Sequence, residues 1–259
     1  MKLLTINTHS LIEDDYRKKL DIFVDAIYRI RPDIIAMQEV NQTINAPIIC
    51  LGDEYNIRRD NHVYAVCKRL AIMGLDYSCI WRGIKNGYKK FDEGIAVMSR
   101  LPIKETKSFI ISKTHDPMNW RLRRVLGVRT GDDWFYAVHM GRFDDTEEPF
   151  INQWQNFVSE VSQTERVWAM GDFNCDGEGD EYKAVINSGW YDTYKLAEEK
   201  DRGITVRGNI DGWRDGDIGS MRIDYIFCNK KISVKSSQVI FNCDNERVIS
   251  DHFGVLVEV

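Results

Sequence analysis

The sequence predicts an α/β protein in which two β-sheets pack face to face and helices lie outside them. Three observations support this fold class: about ten short segments have strand character, only about four have helical character, and 43% of the 259 residues are hydrophobic. A parallel, doubly wound sheet would not combine so many strands with so few helices. No linker, low-complexity tract or repeat divides the chain, so we expect one catalytic domain spanning residues 1–259.

The predicted strands are short, rich in β-branched or aromatic residues, and bounded by Gly, Pro, Asp or Asn. In chain order they are Leu3 to Thr8, Asp33 to Val40, Ser78 to Ile84, Ile95 to Ser99, Val125 to Thr130, Trp134 to His139, Val167 to Gly171, Arg222 to Cys228, Val234 to Phe241 and Phe253 to Val259. Residues 14–30 are predicted to form an amphipathic helix, because Leu20, Phe23 and Ile27 recur at helical spacing. A shorter helix is predicted within Glu178 to Asn187.

Composition and charge argue against several classes of protein. The net charge is −5, from 35 basic and 40 acidic residues, so no global attraction to nucleic acid or anionic lipid is expected. No stretch approaches the roughly 18 apolar residues of a membrane span. The six cysteines show no CxxC spacing and suit a reducing compartment. We therefore expect a cytoplasmic protein without a membrane partner, and we infer no obligate protein partner.

Acids, amides and imidazoles lie near the ends of six predicted strands. They are Asn7, Gln38 with Glu39, His139, Asp172 with Asn174, Asp224, and Asp251 with His252. Each alone has an ordinary structural explanation: a turn-forming Asn, a solvated Glu, a core His, or an Asx turn or helix cap. The carboxylate of Asp224 lies in an apolar strand, where it must find a partner or be costly. Their joint occurrence favours one shared site.

This set of side chains suits a divalent metal and a phosphate ester. Carboxylate and amide oxygens are ligands that Mg²⁺ prefers, and Mg²⁺ usually binds one or two carboxylates plus substrate phosphate. Hydrolysis also needs a carboxylate that orients or deprotonates water, and cationic or hydrogen-bonding groups for the transferring phosphoryl group. The chain carries no Cys/His cluster with zinc spacing. The residues therefore predict a metal-dependent reaction at phosphate.

The ordered series of Asn7, Gln38-Glu39, His139, "GDFN" at 171–174, "RIDY" at 222–225 and "SDH" at 250–252 resembles the endonuclease/exonuclease/phosphatase superfamily. The similarity runs from residue 3 to the end of the sequence. It implies a four-layer α/β/β/α sandwich of two mainly antiparallel sheets, with the site at one end of the sheets. It also implies a divalent metal, usually Mg²⁺, for which Mn²⁺ could substitute.

The resemblance implies how the metal and the attacking water are held. Glu39 would be the principal metal ligand, and Asn7 beside it would contact metal-bound water or phosphate. Asp251 would help to ligate the metal. Asp172 would position or deprotonate the attacking water.

The remaining motif residues would contact the phosphoryl group. Asn174 would hold a phosphate oxygen, and Asp224 would orient His252, which bonds the phosphoryl group. His139 would be a second phosphate ligand or a proton donor, paired with Glu93 of "FDEGIAVMSR", a segment that also resembles the superfamily.

Two further residues are candidates for substrate binding. Arg124 has the parity of the apolar residues in its predicted strand, which would point one arginine at a sheet-end pocket; the alternative is an edge arginine that reaches solvent. Trp213 lies in a Gly/Asp-rich loop beside Asp211, Arg214 and Asp215. Such a loop commonly sets specificity, and Trp213 would be either a sugar-stacking platform or a loop anchor.

Several longer segments resemble one bacterial branch of the superfamily, the maltose 6'-phosphate phosphatases. They include "LLTINTHS", "YKKFDEGIAVMSR", "HMGRFDD" and "IDGWRD". The resemblance implies a Mg²⁺-dependent phosphomonoesterase that hydrolyses a small phosphorylated sugar. The enzyme alternative is a Mg²⁺-dependent nuclease acting on DNA, which would need an extended basic track that this acidic chain does not suggest. A silent binding module is a third alternative, but none of the motif residues is lost.

Overall fold

Two large β-sheets form the centre of the computed structural model, which describes residues 1–52, 55–211, 213 and 219–259. In chain order the strands of these residues are β1 (Lys2–Asn7), β2 (Ile34–Thr43), β3 (Ile48–Cys50), β4 (Ile57–Arg58), β5 (Ser78–Gly87), β6 (Phe91–Ser99), β7 (Ile103–Ile110), β8 (Arg124–Thr130), β9 (Asp133–His139), β10 (Arg166–Asp172), β11 (Tyr191–Asp192), β12 (Ala197–Lys200), β13 (Val206–Arg207), β14 (Ser220–Met221), β15 (Asp224–Cys228), β16 (Val234–Ile240) and β17 (Gly254–Glu258). The helices are α1 (Tyr16–Ile30), α2 (His62–Ile72), α3 (Phe150–Glu160), α4 (Asp180–Asn187) and α5 (Thr193–Leu196). None of these helices combines the length and apolar character that crossing a membrane requires.

Within the described ranges, the first sheet has the strand order β12-β16-β17-β1-β2-β6-β5, and the second has the order β11-β15-β10-β9-β8-β7. Most neighbouring strands are antiparallel, but three described pairs are parallel: β12 with β16 and, at the strands that carry the motifs, β1 with β2 and β9 with β10. Parallel neighbours end at the same edge of a sheet. Each sheet therefore brings two strand ends together, and these ends carry the polar residues of the motifs.

Three apolar cores separate four layers of secondary structure. The inner core lies between the sheets and takes Leu3 and Ile95 from the first sheet and Leu126 and Met170 from the second. A second core joins the first sheet to α1 and α2, and a third joins the second sheet to α3 and α4. Burial of apolar surface is the dominant favourable term in folding, so these three cores hold the layers together. The predicted sandwich of two sheets with helices outside is confirmed.

His62 is a buried histidine of the second core whose protonation opposes folding. Its Nδ1 atom lies 3.1 Å from the Tyr16 hydroxyl, and its ring stacks on Phe23. Burial, with a smaller contribution from the positive charge of Arg69, lowers the pKa of His62 from 6.5 to about 3. As the pH decreases through about 6.5, His62 is therefore protonated in the unfolded chain but stays neutral in the folded chain. The free energy of unfolding falls as the pH decreases below that value.

We expect His62→Phe to reduce the pH dependence of stability. Between pH 7.5 and pH 5.0, His62 should cost the wild-type protein about 2 kcal/mol of unfolding free energy. The variant should lose about 2 kcal/mol less over this interval, as measured by urea denaturation at both pH values. His115→Phe, at an exposed position, is the matched control. Equal pH dependence in wild type and His62→Phe would contradict this assignment.

Candidate functional site

Three strands of the second sheet align the residues at the centre of the site. Asp172 at the end of β10 lies opposite His139 of β9 and opposite Asp224 of β15. Residues paired across neighbouring strands point to the same face of a sheet, so the three side chains form one row. The Nε2 atom of His139 lies 3.5 Å from Oδ2 of Asp172. The second sheet thus supplies two carboxylates and an imidazole in register.

The first sheet supplies Asn7 and Glu39. The register of β2 against β6 shifts between Met37 and Val40, and Glu39 within this bulge has a left-handed φ of 51°. A bulge re-aims a side chain out of the regular alternation of a strand. The Asn7 amide donates hydrogen bonds to Oε1 of Glu39 at 2.8 Å and to Oδ2 of Asp172 at 3.2 Å. Asn7 therefore links the two sheets at the site.

The sequence "GDFN" fixes the carboxylate of Asp172 by local geometry. A Cβ at Gly171 would lie 1.9 Å from the carbonyl oxygen of Val138, so only glycine permits this close approach of β10 to β9. Phe173 is fully buried in the third core. Asn174 adopts a left-handed φ of 49°, and its backbone N–H donates to Oδ1 of Asp172 at 2.8 Å. Both oxygens of Asp172 are therefore held by hydrogen bonds.

His252 is held as an imidazolium beside Asp172. Its Nδ1 lies 3.1 Å from Oδ2 of Asp224, and its Nε2 lies 3.9 Å from Oδ2 of Asp172. Burial alone would lower the pKa of His252, but the Asp224 and Asp172 carboxylates raise it well above its ordinary value. A buried, charged imidazole with one nitrogen already bonded can direct the other nitrogen at an anion.

Burial shifts the pKa values of Asp172 and His139 in directions that suit a general base. Burial raises the pKa of Asp172 to about 7; the Asp224 carboxylate adds to this increase, while the charge of His252 opposes it. Burial, together with the nearby Arg123 and Lys85 charges, lowers the pKa of His139 well below its usual range. At neutral pH, His139 is therefore a neutral hydrogen-bonding group, and Asp172 is poised to accept a proton.

Oxygen donors for a divalent cation gather beside Asp172. Burial and the Glu93 carboxylate raise the pKa of Glu39, and Asp251 contributes in the same direction. Negative charge therefore crowds at this point, and a divalent cation would relieve the crowding. The donor set of Glu39, Asn7 and Asp251 consists of the carboxylate and amide oxygens that Mg²⁺ favours. The residues that the resemblance implies thus fit a magnesium ion.

His9 and Glu13 lie beside Asp251 at the rim of this candidate metal site. Their ligand atoms and that of Asp251 lie within 4.8 Å of one another. Burial opposes protonation of His9, but its hydrogen bond with Glu13 and the charges of Asp251 and Glu39 raise its pKa to about 9. A protonated imidazole donates at both nitrogens and cannot ligate a metal. In this arrangement His9 is a cationic partner of the carboxylates.

A cavity of about 530 Å³ opens over these residues. Its walls come from both sheets and from the loops that follow them; the lining residues are Glu39, Lys85, Asn86, Gly87, Tyr88, Glu93, Trp120, Arg123, His139, Arg142, Asp172, Asn174, Asp211, Trp213 and His252. This volume lies within the range of small-molecule sites. The candidate catalytic side chains of His139, Asp172 and His252 thus lie on the wall of a cavity rather than on an open surface.

Two predicted contacts differ in the structure. Arg123 lines the cavity, whereas Arg124 is not among its lining residues. The prediction for Arg124 relied on strand alternation around it, but β8 begins only at Arg124, and the residues before it form a turn. Glu93 pairs with Lys85 at 3.1 Å rather than with His139, since Lys85 and Glu93 lie opposite each other in β5 and β6.

Trp213 lines the cavity and is anchored to a motif residue. Its indole N–H donates to Oδ1 of Asn174 at 3.0 Å, and its ring lies 5.7 Å from that of Phe143. The Asn174 amide also donates to the carbonyl of Met140 at 3.1 Å. Asp211, beside Trp213, accepts a hydrogen bond from the Tyr88 hydroxyl. The neighbouring Arg214 and Asp215, which the sequence analysis also named, lie outside the described residues.

Lys85, Trp120 and Arg123 are site residues that the sequence analysis missed. Lys85 lies late in β5, and Trp120 and Arg123 lie in the loop before β8. No motif marks them, and an isolated basic or aromatic residue in a loop carries little information by itself. The one signal in the sequence is the basic run "RLRRVLGVR", which does not by itself distinguish Arg123 from Arg124.

Comparisons with known proteins agree with this geometry. The profile of the Endonuclease/Exonuclease/phosphatase family matches residues 4–252. An endonuclease/exonuclease/phosphatase family protein from Leptotrichia buccalis is 36% identical, with a TM-score of 0.92 over 100% of this chain and 98% of that chain. No curated protein matches the chain.

Two more distant structures share the fold. The mannosyl-6-phosphatase Bt3783 of Bacteroides thetaiotaomicron is 19% identical, with a TM-score of 0.67 over 100% of this chain and 98% of that one. The 3' phosphatase NExo from Neisseria, solved with a product DNA hairpin, is 18% identical, with a TM-score of 0.63 over the same shares. At these identities the similarity concerns the fold alone.

Proposed function

Since the chain belongs to the endonuclease/exonuclease/phosphatase family, whose members are metal-dependent phosphoesterases, we propose that it is a Mg²⁺-dependent phosphomonoesterase acting on a small phosphorylated sugar. The favoured substrate is maltose 6'-phosphate or a related disaccharide phosphate. The observation that carries the proposal is the cavity of about 530 Å³, which opens beside Asp172, His139 and His252 and is also lined by exposed aromatic and polar side chains.

The walls of the cavity support a small substrate over a nucleic acid. Among the described residues, the lining carries four carboxylates and four cationic groups: the carboxylates are those of Glu39, Glu93, Asp172 and Asp211, and the cations are Lys85, Arg123, Arg142 and the His252 imidazolium. A nuclease contacts many backbone phosphates through a continuous basic track, which this mixed lining does not resemble. The solved relatives include a mannosyl-6-phosphatase, which acts on a phosphorylated sugar, and a DNA 3' phosphatase. Both substrate classes therefore belong in the test.

In the proposed reaction, Asp172 acts as the general base. Its carboxylate, fixed by Asn7 and the backbone N–H of Asn174, takes a proton from the water that attacks phosphorus. The new bond joins the water oxygen to phosphorus, and the bond between phosphorus and the sugar oxygen breaks. The sugar oxygen takes up a proton from solvent in the cavity. The products are the free sugar and inorganic phosphate.

The two histidines stabilise the transferring phosphoryl group. His252, charged and oriented by Asp224, donates through Nε2 to a phosphoryl oxygen on which negative charge develops. His139 is neutral at pH 7, so its N–H serves as a hydrogen-bond donor and not as a proton source. The resemblance implies that His139 is either a phosphate ligand or a proton donor, and its neutral state favours the role of phosphate ligand.

Glu39, Asn7 and Asp251 would hold the magnesium ion. When bound, Mg²⁺ supplies positive charge that neutralises the phosphate oxygens and favours ionisation of bound water. Around it, the Asn7 amide keeps Glu39 and Asp172 at fixed positions by its two hydrogen bonds. His9 and Glu13 hold Asp251 in position at the rim, where the Asp251 backbone N–H donates a hydrogen bond to Oε1 of Glu13 at 3.2 Å.

A substrate panel tests the proposed function. Purified protein with Mg²⁺ should release phosphate from maltose 6'-phosphate and should leave plain and abasic plasmid DNA intact. Raising the salt concentration from 50 to 200 mM should change kcat/KM for the sugar phosphate by less than about threefold, because one phosphate releases few counterions. EDTA is the control. Nicked plasmid, with no phosphate released from maltose 6'-phosphate, would identify a nuclease and overturn the sugar phosphatase proposal.

A further inference from the structure

Trp120 is an exposed aromatic residue that is nevertheless held in place. The residue lines the cavity although it is 55% exposed. Its backbone carbonyl accepts hydrogen bonds from Nζ of Lys85 at 3.1 Å and from Nη1 of Arg123 at 2.8 Å. The Arg121 guanidinium lies 4.5 Å from the centre of the ring, and Arg121 is itself fixed by Asp145 at 2.7 Å. Arg121 thus covers one face of the indole, while more than half of the surface of Trp120 stays exposed.

Two buried polar atoms near Trp120 lack partners among the described residues. Nε of Arg123 and Oδ1 of Asn86 are both inaccessible to solvent. Among the described residues, Nε of Arg123 donates no hydrogen bond, and Oδ1 of Asn86 accepts none. Arg123 is only 6% exposed, and both residues line the same cavity. A buried polar atom without a partner is costly, and such atoms in native structures call for an explanation. One unpaired donor and one unpaired acceptor match a ligand that both accepts and donates.

The segments that carry these residues are tied together. The backbone N–H of Asn86, near the end of β5, donates to the carbonyl of Pro117 at 2.8 Å. Lys85 bridges the same two segments through the Trp120 carbonyl and also pairs with Glu93 of β6. The wall is therefore preorganised by bonds that no ligand needs to supply, which reduces the entropic cost of binding.

We propose that Trp120, Asn86 and Arg123 form a sugar-binding subsite of the cavity, an inference that rests on the proposed function. The open face of Trp120 stacks on the C–H face of a hexopyranose ring. On binding, a rotation of each side chain turns its unpaired atom toward the cavity, where Nε of Arg123 donates to one sugar oxygen and Oδ1 of Asn86 accepts from one hydroxyl group. Sugar hydroxyl groups both donate and accept hydrogen bonds, so one ring can satisfy both orphan atoms. The subsite makes the enzyme selective for phosphates carried on a pyranose.

The kinetic test compares two phosphate esters in the same variant. Trp120→Ala should lower the ratio of kcat/KM for maltose 6'-phosphate to that for glycerol 2-phosphate, which has no ring, by at least tenfold, mainly through KM. Trp120→Phe should restore most of this ratio, and Asn86→Ala, which keeps its backbone bond to Pro117, should lower it by about fivefold. Met118→Ala, exposed in the same loop, is the matched control. An unchanged ratio in Trp120→Ala would overturn the subsite and leave the proposed function standing.

A binding measurement separates failure of the subsite from failure of the proposed function. If the wild type releases phosphate from no ester, the proposed function fails, and titration calorimetry with free maltose then decides the subsite alone. Maltose binding that is retained in Met118→Ala and lost in Trp120→Ala would support the subsite. Without turnover, failure of the wild type to bind maltose, or equal binding by both variants, would overturn it.

Discussion

Asp172→Asn should lower phosphate release by about 10³- to 10⁴-fold while leaving the fold intact. Asparagine keeps the shape of the side chain but cannot accept a proton from water. Because burial raises the pKa of Asp172 to about 7, the folded protein already bears a cost for ionising this group. The neutral amide should therefore leave stability unchanged or slightly higher. Initial rates of phosphate release and the thermal midpoint measure the two effects.

Asp176→Asn is the matched control for this variant, since Asp176 lies four residues further along the same segment and is exposed. It should retain wild-type activity. Comparing Asp172→Asn with the wild type also tests the third alternative, a silent binding module. A protein that only binds would show no turnover even in the wild type. Full activity in Asp172→Asn would exclude Asp172 as the base.

Glu39→Gln should abolish the stabilisation of the protein by Mg²⁺. A ligand that binds the folded state at 100 times its Kd adds about 2.7 kcal/mol of stability, which for a chain of this size is roughly 5–10 °C in Tm. The wild type should show this increase when Mg²⁺ replaces EDTA. Glu39→Gln should show little of this increase, because the variant loses the charge of the proposed principal ligand. Differential scanning calorimetry measures the shift without reference to turnover.

Glu198→Gln, on the exposed side of β12, serves as the control for the loss of one carboxylate. It should retain the full increase in Tm with Mg²⁺. If Glu39→Gln also retained the full increase, the metal would have to be held elsewhere. The variant should also lose activity: at 1 mM Mg²⁺, we expect Glu39→Gln to release phosphate at least about 100-fold more slowly than the wild type. Loss of a single strong contact to the transition state has an effect of this size.

The sheets could be predicted from the sequence because their central strands are apolar runs with clear boundaries. Val167 to Gly171, for example, lies within the observed β10. The strand β7 was missed because "IKETKSFI" carries three charged residues and lies at the edge of the second sheet. Edge strands face solvent and tolerate charge, so their composition resembles that of a loop. Tertiary position, and not local propensity, decides such segments.

The centre of the site was more predictable than its walls. Asp172 and Asp224 stand at strand ends within recognisable motifs, and the register of β10 with β15 places them side by side. The bulge at Glu39 could not be read from the sequence, because ordinary alternation assigns Gln38 and Glu39 to opposite faces. Trp120 and Arg123 depend on how a loop folds back on β5, which neither periodicity nor motif spacing encodes.

The strand order of the first sheet has a consequence for folding of the protein. In this sheet β1 lies between β2 and β17. Residues 2–5 of β1 pair with residues 255–258 of β17, which are distant in the sequence. Such long-range pairing is slow, because a long loop must close before the contacts form. Asn7 ends β1, and Asp251 and His252 lie just before β17. These three residues are therefore held together only while the two distant strands are paired, and local separation of β17 from β1 would take the candidate site apart.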